Sequence, residues 1–276
     1  MEPWLIVLLS ILGTVVVFFA LWLFLIAPKA RPKAVQPFLC PYAHRGLWGE
    51  GVPENSLAAF EAAAKAGFGI ELDVQLSADG TVMVFHDYTL ERMCTREGLL
   101  SELSAEELAN IPLNGARFPQ FIPTLQQVLA VVKGRVPLLI ELKGESGDTA
   151  LVPALVRELA DYQGVWCVES FNPLLLRAMK KEAPQAVRGL LSTNLLKDGK
   201  KGNRFLNFAL SAMLFNFLCR PAFHAWNGHY PNRPALRVGL KWFGAASFVF
   251  TVRDPEAYAR YMAQGIYPIF DGFLPK

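Results

Sequence analysis

The sequence carries little charge, and no block of either sign stands out. Only 18% of its 276 residues are charged, and the net charge at pH 7 is +3. A nucleic-acid-binding surface requires a clustered basic excess, and a disordered tail commonly carries a block of like charges. We therefore expect neither a nucleic-acid partner nor a charged, disordered tail.

Cysteines are scarce and far apart in the sequence. The chain contains no CxxC pair and no His/Cys spacing typical of a metal site, and the four cysteines are Cys40, Cys94, Cys167 and Cys219. This pattern predicts unpaired thiols in a reducing compartment.

No basic residue precedes the long apolar run at the amino terminus. Residues 4–27 are uncharged, and as a helix these 24 residues would extend about 36 Å, enough to cross a ~30 Å hydrocarbon core. A cleavable signal peptide has a basic segment before a shorter apolar stretch, so the run favours an uncleaved anchor over residues 1–27. Lys29, Arg31 and Lys33 follow the run, which predicts a single-pass cell-membrane protein with a cytoplasmic catalytic domain.

After a linker over residues 28–37, residues 38–276 predict one large domain of alternating strands and helices. This alternation implies parallel strands with crossover helices, and the length suits an α/β fold of the (β/α)8 TIM-barrel type. One link, residues 77–81, is too short for a crossover and contains Asp79-Gly80, so the run after it should form an antiparallel hairpin outside the barrel. The strand-like runs are 38–43, 68–76, 81–85, 136–142, 165–168, 187–191, 221–226, 247–252 and 266–270.

Ionisable side chains lie where barrel strands should end. Alternate residues of a strand share a face, so Glu71 and Asp73 point one way, and Glu141 shares a face with Lys143. Carboxylates that converge at the carboxyl end of a barrel repel one another unless a cation compensates them, and oxygen ligands favour Mg²⁺, Ca²⁺ or Mn²⁺. Ion pairs with Arg45 and Lys143 are the structural alternative.

Two histidines beside this cluster favour hydrolysis. His44 and His86 each follow a strand-like run, and both can move protons at neutral pH. Arg45 offers a bidentate fork that suits a phosphate group.

The motifs "HRG", "PENS", "AFEAAAKAGFGIELDVQLSADGTVMVFHD", "IPTL", "IELK" and "ESF", in this order, resemble the glycerophosphodiester phosphodiesterase family. The resemblance implies a TIM barrel, a divalent metal ion, and hydrolysis of a glycerophosphodiester to an alcohol and glycerol 3-phosphate. It implies an insertion at about residues 88–121. Carried over by motif, the metal ligands are Glu71, Asp73 and Glu141, the acid/base pair is His44 and His86, and the phosphate contacts are Arg45 and Lys143.

Three further positions have less specific signals. Glu54 is a candidate contact to the metal ion or to substrate hydroxyls, and Asn55 either caps the next helix or serves the site. The resemblance is weaker at "FTVR", where relatives usually have Trp-Thr-Val-Asn. There Arg253 either reaches the phosphate or a lipid headgroup, or forms a structural salt bridge. His224 and His229 are predicted to be structural.

A second apolar run, residues 205–219, is too short to span a bilayer. It favours a hydrophobic element that contacts the bilayer over a long barrel helix. A lysophospholipid is then as plausible a substrate as a soluble glycerophosphodiester, which makes lysophospholipase D activity the main alternative. A non-catalytic membrane-anchored barrel is the least favoured hypothesis.

Overall fold

The computed structural model describes residues 2–29, 32–144 and 147–275. Arg31, one of the three basic residues behind the predicted membrane orientation, therefore lies outside the described residues. Nine strands occur in the described part of the chain: β1 Tyr42–Ala43, β2 Gly69–Leu76, β3 Val82–Val84, β4 Leu138–Leu142, β5 Trp166–Ser170, β6 Arg188–Ser192, β7 Phe223–Asn227, β8 Ala246–Val252 and β9 Tyr267–Phe270.

Eight of these strands close into a parallel barrel. Strand β1 pairs in parallel with β2 on one side and with β9 on the other, and the remaining strands follow in sequence order. Strand β3 pairs antiparallel with β2, with Val74 opposite Val84, so it stands outside the barrel series. The predicted TIM barrel and its hairpin are confirmed.

Strand β1 is shorter than the predicted run over residues 38–43. Residues Gln36–Phe38 form a 3-10 turn instead, and only Tyr42 and Ala43 join the sheet. Pro37 lies within this turn and Pro41 lies between it and β1, and proline has no backbone N–H for a sheet ladder.

Helices cover the outside of the barrel. The first barrel helix is held at both ends: Ser56 accepts a hydrogen bond from Ala59 N, and Gly67 ends the helix with φ +77°. The helices are α1 Pro3–Ile26, α2 Pro32–Val35, α3 Leu57–Ala66, α4 Ala105–Leu108, α5 Leu125–Val132, α6 Leu151–Glu158, α7 Pro173–Glu182, α8 Arg204–Ser211, α9 Asn216–Cys219, α10 Pro234–Lys241 and α11 Pro255–Ala263.

Aromatic side chains fill the amino-terminal half of the barrel. The ring of Phe248 packs edge-on against Tyr42 and Phe223, with centroids 5.8 and 4.9 Å away. A Cβ atom at Gly189 would lie 1.9 Å from the Phe223 ring, so this position requires glycine. The interior is therefore closed at one end, and polar groups can gather only at the carboxyl-terminal end.

Two segments depart from the regular pattern. The region 88–121 contains only a 3-10 turn, Leu100–Glu102, and helix α4, and it packs its own apolar cluster, which includes Leu90 and Leu108. The apolar run 205–219 divides into α8 and α9, so it forms two short helices and not one long barrel helix.

Helix α1 is, within the described part of the chain, the one helix long and apolar enough to cross a bilayer, with a mean hydropathy of 2.7. Residues 6–21 are all exposed, whereas Ile26 is fully buried against the barrel. A membrane anchor and a signal sequence both have this character.

Candidate active site

The polar groups of the barrel meet at its carboxyl-terminal end, in a cavity of about 250 Å³. Neighbouring strands place their acidic residues at one level, since Asp73 of β2 is in register with Glu141 of β4, and Glu141 with Glu169 of β5. The cavity is lined by His44, Arg45, Glu71, His86, Glu141, Lys143, Glu169, Phe171, Leu191, Phe250, Thr251, Arg253 and Ile269.

Glu71, Asp73 and Glu141 form a group that can hold a metal ion. One carboxylate oxygen of each lies within 4.8 Å of the others, and the three residues are 2%, 0% and 9% exposed. Burial, followed by the charges of Asp73 and Glu141, raises the pKa of Glu71 well above its usual value. An all-oxygen set of this kind suits a hard divalent cation.

Arg45 and Lys143 form ion pairs with two of these three carboxylates, as the alternative without a metal ion predicts, but not with the third, Glu71. Lys143 Nζ lies 2.8 Å from Asp73 Oδ1 and 2.7 Å from Glu141 Oε1, and Arg45 Nε lies 3.4 Å from Asp73 Oδ2. Glu71 accepts a 2.8 Å hydrogen bond from the backbone N of Arg45, and no side-chain ion pair to it is found among the described residues.

The charge balance of this cluster is negative. Four carboxylates, those of Glu71, Asp73, Glu141 and Glu169, face the two cations Arg45 and Lys143, which leaves two negative charges in excess if all are ionised. Burial alone would raise the pKa of Asp73, but Lys143, His86 and Arg45 together lower it. A divalent cation matches the excess, so the residues present fit the metal ion that the sequence predicts.

The backbone after β1 is shaped to bring Arg45 into the cavity. Arg45 and Gly46 have φ values of +60° and +82°, and a Cβ atom at Gly46 would lie 2.8 Å from Ala59. Glycine is required there because helix α3 approaches so closely. The Arg45 guanidinium donates a 2.7 Å hydrogen bond to Glu54 Oε1, which fixes its position.

His44 is oriented by a residue from the far end of the chain. Its Nδ1 lies 2.8 Å from Asp271 Oδ2, and Arg253 Nε donates a 2.6 Å hydrogen bond to Asp271 Oδ1. Burial would raise the pKa of Asp271, but the bonds from His44 and Arg253 lower it, so Asp271 is ionised at neutral pH. Because a carboxylate only accepts hydrogen bonds, His44 Nδ1 carries the proton and Nε2 is left as a proton acceptor.

His86 has the same arrangement on the other side of the cavity. Its Nδ1 lies 2.5 Å from Asp87 Oδ1, and Arg92 of the 88–121 region pairs with Asp87 and, at 2.6 Å, with Glu54. Burial lowers the pKa of both His44 and His86, which favours the neutral form of each ring, while the paired aspartates oppose this shift. Each histidine thus belongs to a His–Asp–Arg series.

The three less specific positions lie as follows. Glu54 sits behind Arg45 and Arg92, and Arg253 binds Asp271 while its side chain is 68% exposed. Asn55 does not cap helix α3, because Ser56 does; its Nδ2 donates a 2.8 Å hydrogen bond to Asp73 Oδ2.

Four residues of the site were given no role from the sequence: Asp87, Asp271, Arg92 and Glu169. Glu169 is 1% exposed and lines the cavity, and its Oε2 makes no hydrogen bond to the described residues. Burial, followed by Glu141 and Asp73, raises its pKa well above the usual value. The alternation that places Glu141 inside the barrel would have placed Glu169 there too.

The remaining histidines and the cysteines take no part in the site. His224 is fully buried, and burial lowers its pKa to about 3, whereas His229 is exposed on the loop after β7. The four cysteines are free thiols, as predicted.

The fold and the site together define a class of protein. A closed α/β barrel that carries three carboxylates able to hold a metal ion, two His–Asp pairs and the cations Arg45 and Lys143 at its carboxyl end is typical of hydrolases that act on anionic substrates.

Comparisons with known proteins agree with this class. The model of the glycerophosphoryl diester phosphodiesterase family matches residues 44–273. A glycerophosphodiester phosphodiesterase of Caldanaerobacter subterraneus subsp. tengcongensis is 31% identical over 236 residues, 81% of this chain and 90% of that protein. Bovine glycerophosphodiester phosphodiesterase 1 is 29% identical over 256 residues, 87% of this chain and 71% of that protein.

Solved structures show the same similarity. An Oleispira antarctica phosphodiesterase in complex with the product sn-glycerol-3-phosphate has a TM-score of 0.68 and 25% identity, and the match covers 84% of this chain and 92% of that chain. The chain belongs to the glycerophosphoryl diester phosphodiesterase family. The predicted family and enzyme class are thereby confirmed.

Proposed function

We propose that this protein is a membrane-anchored, metal-dependent enzyme that hydrolyses glycerophosphodiesters to an alcohol and glycerol 3-phosphate. The observation that carries the proposal is the pair of histidines, each bound through Nδ1 to an aspartate, beside a group of three carboxylates that could hold a metal ion. The family match and the product bound by the Oleispira antarctica relative support the choice of substrate.

The chain's own residues account for binding and proton transfer. Arg45 and Lys143 contact the phosphodiester oxygens, and one histidine takes a proton through Nε2 from the attacking oxygen as that oxygen bonds to phosphorus. The other histidine, in its protonated form, gives a proton to the leaving alkoxide as its bond to phosphorus breaks. The attacking oxygen belongs to water or to the neighbouring glycerol hydroxyl, and both routes use the same two histidines. A metal ion held by Glu71, Asp73 and Glu141 would add positive charge against the phosphate.

The anchor is part of the proposal. Asn216, fully buried, donates a 2.7 Å hydrogen bond to Ile26 O, and Arg220 donates to Phe24 O and Ala27 O. Through these hydrogen bonds residues 24–27 pack as part of the barrel. This packing supports retention of α1 over its removal as a signal sequence. The basic residues after α1 support a cytoplasmic barrel.

The experiment is a turnover assay of the full chain in detergent, with and without EDTA. Glycerophosphocholine, glycerophosphoethanolamine and a lysophospholipid are compared side by side. We expect hydrolysis of the short diesters, lost with EDTA and restored by Mg²⁺, Ca²⁺ or Mn²⁺. Activity on the lysolipid alone would favour the lysophospholipase D alternative, and no activity on any of the three would contradict the proposal.

A positioning role is expected for Asp271. Asparagine in its place can donate to His44 and so hold the ring with its proton on the wrong nitrogen. We expect kcat of Asp271→Asn to fall by about 10²-fold or more, within the range that acid–base groups contribute, while KM stays near the wild-type value. The measurement is steady-state kinetics beside Arg253→Ala, which should lower kcat much less. Equal losses in the two variants would contradict the positioning role.

A further inference from the structure

Helix α1 contacts the barrel at one end only. Lys29 N donates a 2.8 Å hydrogen bond to Pro221 O, immediately before β7, and Arg220, which bonds the last carbonyls of α1, precedes β7 as well. The ring of Phe19 lies 6.2 Å from that of Trp242, which precedes β8. All of these barrel residues lie at the amino-terminal ends of the parallel strands.

No spacer separates this end of the barrel from the apolar part of α1. Residues 6–21 are exposed, but contacts with the barrel already begin at Phe19. About 20 residues are needed to cross the hydrocarbon core, so a bilayer that covers most of the 24 residues of α1 reaches the barrel's amino-terminal end.

The surface around α1 has the composition of a membrane interface. Trp242 is 64% exposed, and Trp is typical of the headgroup level. Helix α7, which packs against α9, ends with Lys180, Lys181 and Glu182. Together with Lys29, Arg220 and Lys241, these residues give the surface five basic side chains and one acidic side chain. We name it the docking rim: Lys29, Lys180, Lys181, Arg220, Lys241 and Trp242.

We propose that the docking rim lies against the headgroups of the bilayer that α1 spans, with its basic residues on anionic lipid, and that the active site opens at the opposite end of the barrel. This inference rests on the anchor in the proposed function. Positive charge near a membrane that contains anionic lipid is attracted to its surface, and the Trp242 ring supplies apolar contact beside it.

The height of the barrel separates the docking rim from the candidate active site. Strand β8 has seven residues between the level of Trp242 and that of Arg253, which lines the cavity. A strand of this length tilted by ~36° advances about 19 Å along the barrel axis.

The exposed residues of α8, Phe205, Leu206 and Phe208, lie at the cavity end of the barrel. Arg233 donates hydrogen bonds both to the backbone O of Ser211, the last residue of α8, and to that of Thr193, which follows β6. Within the apolar run 205–219, the proposal therefore places α9, and not α8, beside the bilayer.

The test compares two exposed apolar positions at opposite ends of the barrel. Trp242→Cys and Phe205→Cys are each made in the full chain with Cys40→Ser, because the other three cysteines are buried. Each variant is labelled with an environment-sensitive fluorophore and reconstituted into vesicles of phosphatidylethanolamine and phosphatidylglycerol. Quenching is measured with brominated lipid and, separately, with iodide in water.

We expect brominated lipid to quench the label at position 242 severalfold more than the label at 205, and iodide to show the reverse order. Stronger lipid quenching at 205, equal quenching at both positions, or lipid quenching at neither position would overturn the proposal. Loss of residues 1–27 from the reconstituted protein, read by intact mass, would also overturn it. The readout does not involve turnover, so it is independent of whether the proposed substrate is correct.

Discussion

Alanine at His44 or at His86 is expected to lower kcat by about 10³-fold, because acid–base catalysis contributes ~10²–10⁴-fold. In the proposed mechanism each ring transfers protons through Nε2, because its Nδ1 is bound to an aspartate. In the proposed mechanism both histidines act in one turnover, one to accept a proton and one to donate, so the double variant should lose little more than either single variant. The measurement is steady-state turnover of the preferred short diester at saturating metal ion.

Two controls separate lost chemistry from lost folding. His229→Ala removes an exposed imidazole from the loop after β7 and should retain wild-type activity. Thermal unfolding of the two active-site variants should stay close to the wild type, because neither ring belongs to the apolar core. If both variants retained activity, the proposed mechanism would be wrong.

The sequence predicts the barrel well because its signals are local. A five-residue link that contains Asp79-Gly80 admits only a hairpin, and the structure has β3 antiparallel to β2 there. The alternation of Glu71 and Asp73 within β2 follows from strand geometry alone. The length of β1 was not predicted, because the run over residues 38–43 is continuous in hydrophobicity, whereas Pro41 interrupts it as a strand.

What the sequence does not predict is the second partner of each active-site group. Asp271 lies 227 positions from His44, and only closure of β1 against β9 brings the two together. Asn55 shows the same limit: its place before a helix is typical of a cap, but its φ of +52° turns the side chain to Asp73. Ser56, one position later, caps the helix. The local sequence pattern therefore identifies the candidate site residues, and long-range strand pairing determines which hydrogen-bond partner each of them has.

Removal of the metal ion should destabilise the protein, and more so as the pH rises. Burial, followed by neighbouring carboxylates, raises the pKa of Glu71, and burial also raises that of Glu141 against the opposing charge of Lys143. A carboxylate whose folded-state pKa is raised contributes stability that is fully present when the pH is below its ordinary, unfolded-state pKa. This contribution is lost as the pH rises through the raised, folded-state pKa. At neutral pH burial of these carboxylates therefore lowers the free energy of unfolding, and a bound cation would offset this cost.

The size of this effect follows from binding linkage. A metal ion at 100 times its Kd adds about 2.7 kcal/mol to the free energy of unfolding, or roughly 5–10 °C in Tm for a chain of this size. We expect EDTA to lower Tm by this order at pH 8 and by less at pH 5.5, measured by calorimetry of the full chain in detergent. An equal Tm with and without EDTA at both pH values would contradict a metal ion at this site.

Glu71→Gln distinguishes a metal ligand from a structural acid. Glutamine keeps an oxygen that can accept the hydrogen bond from Arg45 N, but it removes a negative charge beside Asp73 and Glu141. The variant should lose turnover by about 10²-fold or more and lose its Tm response to Mg²⁺, as expected when a ligand that supplies charge to the cation is gone. Its metal-free Tm at neutral pH should equal or exceed that of the metal-free wild type, because glutamine removes the cost of burying an acid whose pKa is raised. Glu61→Gln, outside the barrel and paired with Arg135, is the matched control and should keep both the metal response and the activity. A Glu71→Gln variant that still gained stability from Mg²⁺ would mean that the cation binds elsewhere, or that Asp73 and Glu141 hold it without Glu71.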